Sequence, residues 1–287
     1  MKNFQYFAPR SLEEALSLLS RYREQAKVLA GGTDLFLRMR TRVFQPDYVI
    51  DLKRIPELQT FHFDAEQGLV IGALTLHADL AKSDLVRERY APLARAAQVV
   101  GSYQTRNRGT IGGNICNASP AADTVLPLLA YGGKARLASM RGTRQVPLEE
   151  FFLGPGKTCL QPDELLVEVQ LPVPPPHTGG GFQRRTRSAM DIALVNACTV
   201  LTLDGEVCTA VRIALGAVAP TPLRAVRAEA VLRGQVITPT LIQEASEVAR
   251  QEARPISDVR SSAEYRREMV RVLTYRATQE ALEQAKR

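Results

Sequence analysis

The chain has 287 residues, 45% hydrophobic and 23% charged, with a formal net charge of +7. That length suffices for a large core and more than one domain, the composition is that of a globular protein, and no stretch approaches the ~20 apolar residues of a membrane helix. The Lys and Arg residues are dispersed among Asp and Glu, Trp is absent, and no basic stretch is interleaved with aromatics, so the positive excess reads as a solvated surface and no nucleic acid is expected as a partner.

The N-terminal stretch MKNFQYFAPRS has no apolar signal core and no cleavage site, which leads to the expectation of a cytoplasmic protein. Residues 11–22, SLEEALSLLSRY, start with a capping Ser and carry Leu12, Ala15, Leu16 and Leu19 at helical spacing. KVLAGG follows as a short strand feeding a glycine turn. TDLFLRMR predicts a short helix with Thr33 and Asp34 in its first turn, and PDYVIDL a further strand, so the first fifty residues form a β-α-β-like unit.

LVIGA predicts a strand, and TLHADLAKSDLVRERYAPLARAAQVV two helical stretches with breaks near Ser83 and Pro92. GTIGGNICNASPAAD, residues 109–123, is too rich in Gly and short polar side chains for a helix interior or a core strand. ADTVLPLLAYGG returns to helix and stops at a glycine pair. KARLASMRGTRQVPLEEFF holds two short strands about an Arg-Gly turn, and ELLVEVQLP another strand. PVPPPHTGGG, residues 172–181, reads as a linker, because its Pro and Gly do not build an element interior. Beyond it, two apolar strands flank Asp204-Gly205, a hairpin signal, and a charged amphipathic helix over about 261–286 closes the chain.

Cys116, Cys159, Cys198 and Cys208 show no C-x-x-C spacing, so neither an iron–sulfur nor a zinc site is visible in this chain. His62, His77 and His177 are far apart and read as surface or capping residues rather than metal ligands. Two glycine loops stand out. VLAGGTDL and GTIGGNICNASPAAD each place a glycine pair between an apolar run and short polar residues. Paired glycines expose amides that can form an anion-binding concavity. Thr33, Thr110, Asn114 and Ser119 would add hydroxyl and amide donors, and a helix after Thr33 would add its N-terminal end. Two such loops fit a diphosphate; tight turns with no ligand are the other reading. Neither G-x-G-x-x-G nor G-x-x-x-x-G-K-[ST] occurs, so neither a Rossmann site nor a P-loop is indicated.

AGGTDL, RNRGTIGGNICNASPAADTVLPLLA and AMDIALVNA, in that order, resemble the FAD-binding subunit of the molybdenum hydroxylases. The likeness covers nearly the whole chain. It implies an α+β fold: a vanillyl-alcohol-oxidase (PCMH)-type FAD domain over 1–173, with subdomains of about 1–54 and 55–173, then a linker over 174–181. A C-terminal domain over 182–287, with an antiparallel sheet and helices, would follow the pattern of the CO dehydrogenase flavoprotein. FAD would lie between the subdomains. The resemblance assigns the pyrophosphate loop to Val28, Leu29, Ala30, Gly31, Gly32, Thr33, Asp34 and Leu35. It assigns the second loop to Thr110, Gly112, Gly113, Asn114, Ser119 and Asp123, with Asp123 directed to the flavin or ribityl part. Leu166 would pack by the flavin or adenine. Some relatives carry a Lys just past the linker; here Gln183, Arg184 and Arg185 stand there, and Arg184 keeps the positive charge.

The same resemblance implies an oxidoreductase subunit in a heterotrimer, with no general acid, base or nucleophile of its own. A small partner subunit would hold two [2Fe–2S] clusters and a large one the molybdopterin and the substrate site. Electrons would reach FAD in this chain and pass to NAD+ or another acceptor. AMDIALVNA leans toward the xanthine and aldehyde branches. The iron–sulfur insert of 4-hydroxybenzoyl-CoA reductase has no counterpart here. The alternative is a stand-alone FAD- or nucleotide-binding module without molybdenum partners.

Overall fold

The computed structural model describes residues 2–287, and three main sheets organise it. The first is parallel, in the order β1-β3-β2, from β1 (Gln5–Phe7), β2 (Ala26–Leu29) and β3 (Tyr48–Asp51). Helix α1 (Leu12–Tyr22) joins β1 to β2, and Ser11 Oγ caps it by accepting the Glu14 amide at 3.2 Å. Its Ala15, Leu16 and Leu19 are buried, as their spacing predicts. Helix α2 (Leu35–Arg40) crosses from β2 to β3 and completes the expected β-α-β unit. It begins after Thr33 and Asp34, not with them, and Asp34 makes no side-chain cap. Strand β1 is an addition: three residues carry no readable period, and pairing of Gln5 with Tyr48 specifies it.

The second sheet is antiparallel, in the order β4-β5-β10-β6-β7. Its strands are β4 (Phe61–Asp64), β5 (Gly68–Gly72), β6 (Lys134–Ser139), β7 (Gly142–Pro147) and β10 (Leu165–Leu171), and β8 (Phe152–Gly154) with β9 (Lys157–Thr158) forms a separate hairpin. Between β5 and β6 run α3 (His77–Lys82), α4 (Asp84–Arg89), α5 (Ala91–Gln98), α6 (Tyr103–Arg106), α7 (Ile111–Asn117) and α8 (Val125–Ala130); α9 (Leu148–Phe151) follows β7. Where two helical stretches are predicted there are three. The Ser83 break holds, with Ser83 Oγ capping α4. The second break falls at Tyr90, whose buried ring donates its hydroxyl to Pro172 O at 2.9 Å, and Pro92 sits harmlessly in the first turn of α5.

The third sheet is antiparallel: β11 (Thr178–Arg185), β12 (Val195–Asp204), β13 (Val207–Gly216) and β14 (Leu223–Arg224), followed by α10 (Val226–Leu232), α11 (Pro239–Glu252) and α12 (Ala263–Ala285). The hairpin turns at Asp204-Gly205 as predicted, with Gly205 at φ 57°. The glycines of PVPPPHTGGG are not linker; they form the start of β11. They are small because α12 lies on them: a Cβ at Gly179 would fall 2.0 Å from Ala281 O, and one at Gly181 2.1 Å from Ala277 O. Both faces of this sheet are buried. Phe182, Cys198, Val200 and Ala214 join the core of the second sheet and its helices, while Ala197, Leu201, Val211 and Ile213 pack on α10, α11 and α12. No helix among the described residues is long and apolar enough to cross a membrane.

Candidate functional site: a cleft between two glycine segments

Strand β2 runs out at Leu29 and the chain turns through Ala30, Gly31, Gly32, Thr33 and Asp34 into α2. Gly32 has φ +78°, the left-handed region that disfavours a side chain. Five consecutive amides, those of Gly31, Gly32, Thr33, Asp34 and Leu35, donate to no acceptor among the described residues. Successive bare amides in a turn can form an anion-binding concavity.

The second segment behaves differently. Residues 111–117, predicted to avoid helix, form α7. Tertiary contacts overrule the poor helix propensity of its glycines. The Ile111 amide donates to Thr75 O and the Gly112 amide to Ala73 O, each at 2.9 Å. Thr110 caps the helix: its Oγ1 accepts from the Gly113 amide at 3.0 Å and its carbonyl from the Asn114 amide at 3.0 Å. Gly112 has no room for a side chain, since a Cβ there would lie 2.6 Å from Ala73. Asn114 turns its carbonyl oxygen to the Thr124 hydroxyl, 2.9 Å away, which leaves its NH2 free.

The two segments touch. A Cβ on Gly31 would fall 2.0 Å from Arg108 O, and Asn117 Nδ2 lies 3.4 Å from Asp34 Oδ1. Along this seam opens a cleft of about 500 Å³, a size typical of small-molecule sites. Val28, Ala30, Gly31, Gly32, Thr33, Asp34 and Leu35 line one wall, Thr110, Gly112, Gly113 and Asn114 another, and Leu166 a third.

Four predicted residues do not line it. Leu29 is buried with Met39 and Val49. Ser119 sits past the α7 stop, where its Oγ accepts from the Ala121 amide at 3.3 Å. Asp123 and Arg184 face each other, with Arg184 Nε 3.2 Å from Asp123 Oδ1. Asn196 Nδ2 donates to the same carboxylate oxygen at 2.7 Å. Burial pushes the Asp123 carboxyl up to about 6, against the opposing pull of Arg184 and Asn196. Arg184 also donates to the carbonyls of Asp191 and Val99. It therefore braces the chain behind Val100, which does line the cleft.

The structure adds residues that the sequence did not mark. Lys27 and Arg38 flank the Phe44 ring, at 5.2 and 5.4 Å from its centroid, and all three line the cleft. Leu160, Pro162 and Leu165 extend the apolar wall around Leu166. His77 also lines it and is almost fully buried, not at the surface. His62 and His177 are exposed. Bare amides, two nearby cations and an apolar wall are the donor set that an anionic, aromatic dinucleotide such as FAD requires, and the residues present fit that group.

Residues 2–174 match the family described as FAD binding domain in molybdopterin dehydrogenase, and residues 181–281 that described as CO dehydrogenase flavoprotein C-terminal domain. The carbon monoxide dehydrogenase medium chain of Hydrogenophaga pseudoflava is 37% identical, the alignment covering 96% of this chain and 95% of that one. The xanthine dehydrogenase FAD-binding subunit of Escherichia coli O157:H7 is 33% identical, over 96% of this chain and 95% of its own length. Among solved structures, the Hydrogenophaga pseudoflava carbon monoxide dehydrogenase lacking the Mo-pyranopterin moiety superposes with a TM-score of 0.95, covering 98% of both chains at 37% identity. These likenesses span more than one substrate branch and lend no weight to the xanthine and aldehyde lean read from AMDIALVNA.

Proposed function

The chain belongs to the FAD-binding medium subunits of the molybdenum hydroxylases, and from that premise we propose that it is the electron-relay subunit of such a complex. It takes electrons from [2Fe–2S] clusters of a small partner subunit, while a large molybdopterin subunit oxidises the substrate. It passes them to NAD+ or another acceptor. When bound, FAD supplies the two-electron store that couples one-electron donors to such an acceptor.

This chain's own residues bind, orient and shield. The amides of Gly31, Gly32, Thr33, Asp34 and Leu35 hold the diphosphate. The Asn114 NH2 and the Thr110 hydroxyl offer donors from the opposite wall, and Gly113 leaves the space beside them open. Leu165 and Leu166 exclude water from an aromatic ring. Lys27 and Arg38 favour the anionic cofactor over neutral competitors. Asp123 and Arg184 serve this reading as a brace for the wall rather than as flavin contacts. No residue here acts as nucleophile, acid or base.

The observation that carries the reading is the row of bare amides in contact with the second glycine segment. It is tested by purifying the full chain and measuring flavin content. Near one FAD per chain supports it; a colourless chain indifferent to added FAD refutes it. In the assembled complex, substrate added without oxygen should bleach the flavin band, and NAD+ should restore it if NAD+ is the acceptor. A chain that holds FAD but purifies with no iron–sulfur or molybdopterin subunit would favour the stand-alone binding module.

A further inference from the structure

His77 opens α3 beneath the second glycine segment. Its backbone amide donates to Gly109 O at 3.1 Å, and its neighbour Leu76 bridges to Thr110. The ring edge lies on Gly109: a Cβ there would sit 3.2 Å from His77 Cδ2 and 3.8 Å from Nε2. The side chain is almost fully buried, at 2% exposure. Its Nδ1 is sealed and has no hydrogen-bond partner, and no partner occurs for Nε2 among the described residues. Nε2, however, is not sealed, and His77 lines the cleft.

Burial, with a smaller contribution from Arg106, pushes the imidazole down to about 4, so the ring is neutral near pH 7 and one nitrogen carries its proton. A proton on Nδ1 would be an N–H enclosed with no acceptor. A proton on Nε2 would sit on the unsealed nitrogen of a ring that lines the cleft. Buried polar groups are as a rule hydrogen-bonded, and an apolar side chain would fill this space without leaving one unpaired. An acceptor that enters the cleft, a water or a ligand oxygen, pairs with the Nε2 proton.

We propose that His77 is a cofactor-binding residue whose Nε2–H donates a hydrogen bond to FAD. The proposal rests on the reading of the cleft as a flavin site. FAD carries acceptors along its length, in its diphosphate, its ribityl chain and its flavin carbonyls, and a neutral donor orients one of them.

The test uses the full chain freed of flavin, with FAD titrated in and flavin fluorescence followed, for the native protein, His77→Leu and His77→Gln. Melting of each protein without FAD is measured alongside. The expected result is an FAD Kd at least tenfold weaker for His77→Leu, substantial recovery for His77→Gln, and a flavin-free midpoint for His77→Leu no lower than the native one. If the Leu variant does not fold, His77→Met serves the same comparison with Gln. Tight FAD binding by the native chain together with an apolar variant within twofold of it overturns the role of His77 and leaves the flavin site standing. Failure of the native chain to bind FAD overturns the reading of the cleft itself, and this proposal with it.

Discussion

In the turn over 31–35 the backbone amides are bare, while in the segment over 109–114 nearly all of them are used inside the protein. Both segments show a glycine pair followed by short polar residues. Gly32 is there for a left-handed backbone angle, Gly31 and Gly112 for close approach to Arg108 and Ala73. Only Gly113 is left with its face open to the cleft. One signature thus covers two physical jobs. In the proposed reading the first segment offers its bare amides to an anion, while the second packs closely against Ala73 and Thr75 and lends the cleft two side chains.

The variants that break this contrast differ in size. Gly31→Val drives a side chain into Arg108 O and should disrupt the seam, costing on the order of 4 kcal/mol in thermal or denaturant unfolding and abolishing FAD retention with it. His77 gives a pH signature of the wall. Its neutral form is favoured in the fold, with a pKa of about 4 against an ordinary 6.5. Its share of stability is complete above pH 6.5 and is lost as pH falls toward 4, by up to about 3 kcal/mol. Asp123, pushed up to about 6, works in the opposite sense, and stability from it declines as pH rises from about 4 through 6. Unfolding of His77→Leu across pH 4–7 should therefore lose the acid limb and reveal the opposite slope. An unchanged acid limb would remove His77 from the account.

Gly112→Ala, pressed against Ala73, should cost about 1–3 kcal/mol of stability, with flavin loss only in proportion. Gly113→Ala meets nothing but Thr110 Oγ1, at 3.0 Å. Its melting should stay within about 0.5 kcal/mol of native, while its FAD Kd, read by fluorescence titration, rises about tenfold. If both variants lose stability and flavin in the same ratio, the division of labour between the two glycines is wrong.

Much of the molecule was legible in its residues. The Ser11 cap and the Leu16–Leu19 spacing marked α1, and Asp204-Gly205 marked the hairpin, because those signals are local. The errors have a common source in distant contacts. Residues 111–117 are helical because Ala73 and Thr75, some forty positions earlier, take up their amides. Gly179 and Gly181 are strand because α12, a hundred residues on, presses its carbonyls on them. For Asp123, the partners Arg184 and Asn196 come from β11 and β12, and no local pattern announces them. His77 reads in the sequence as a surface or capping residue, because a lone histidine at a helix start carries no mark of burial until Gly109 closes over it.

Amide hydrogen exchange of the full chain with and without FAD puts the central contrast to the sharpest test. The account predicts that the amides of Gly31, Gly32, Thr33, Asp34 and Leu35 exchange freely in the flavin-free protein and slow by at least tenfold when FAD is added, while Ile111, Gly112 and Asn114 are protected in both. Unchanged exchange over 31–35 on saturation with FAD would contradict it.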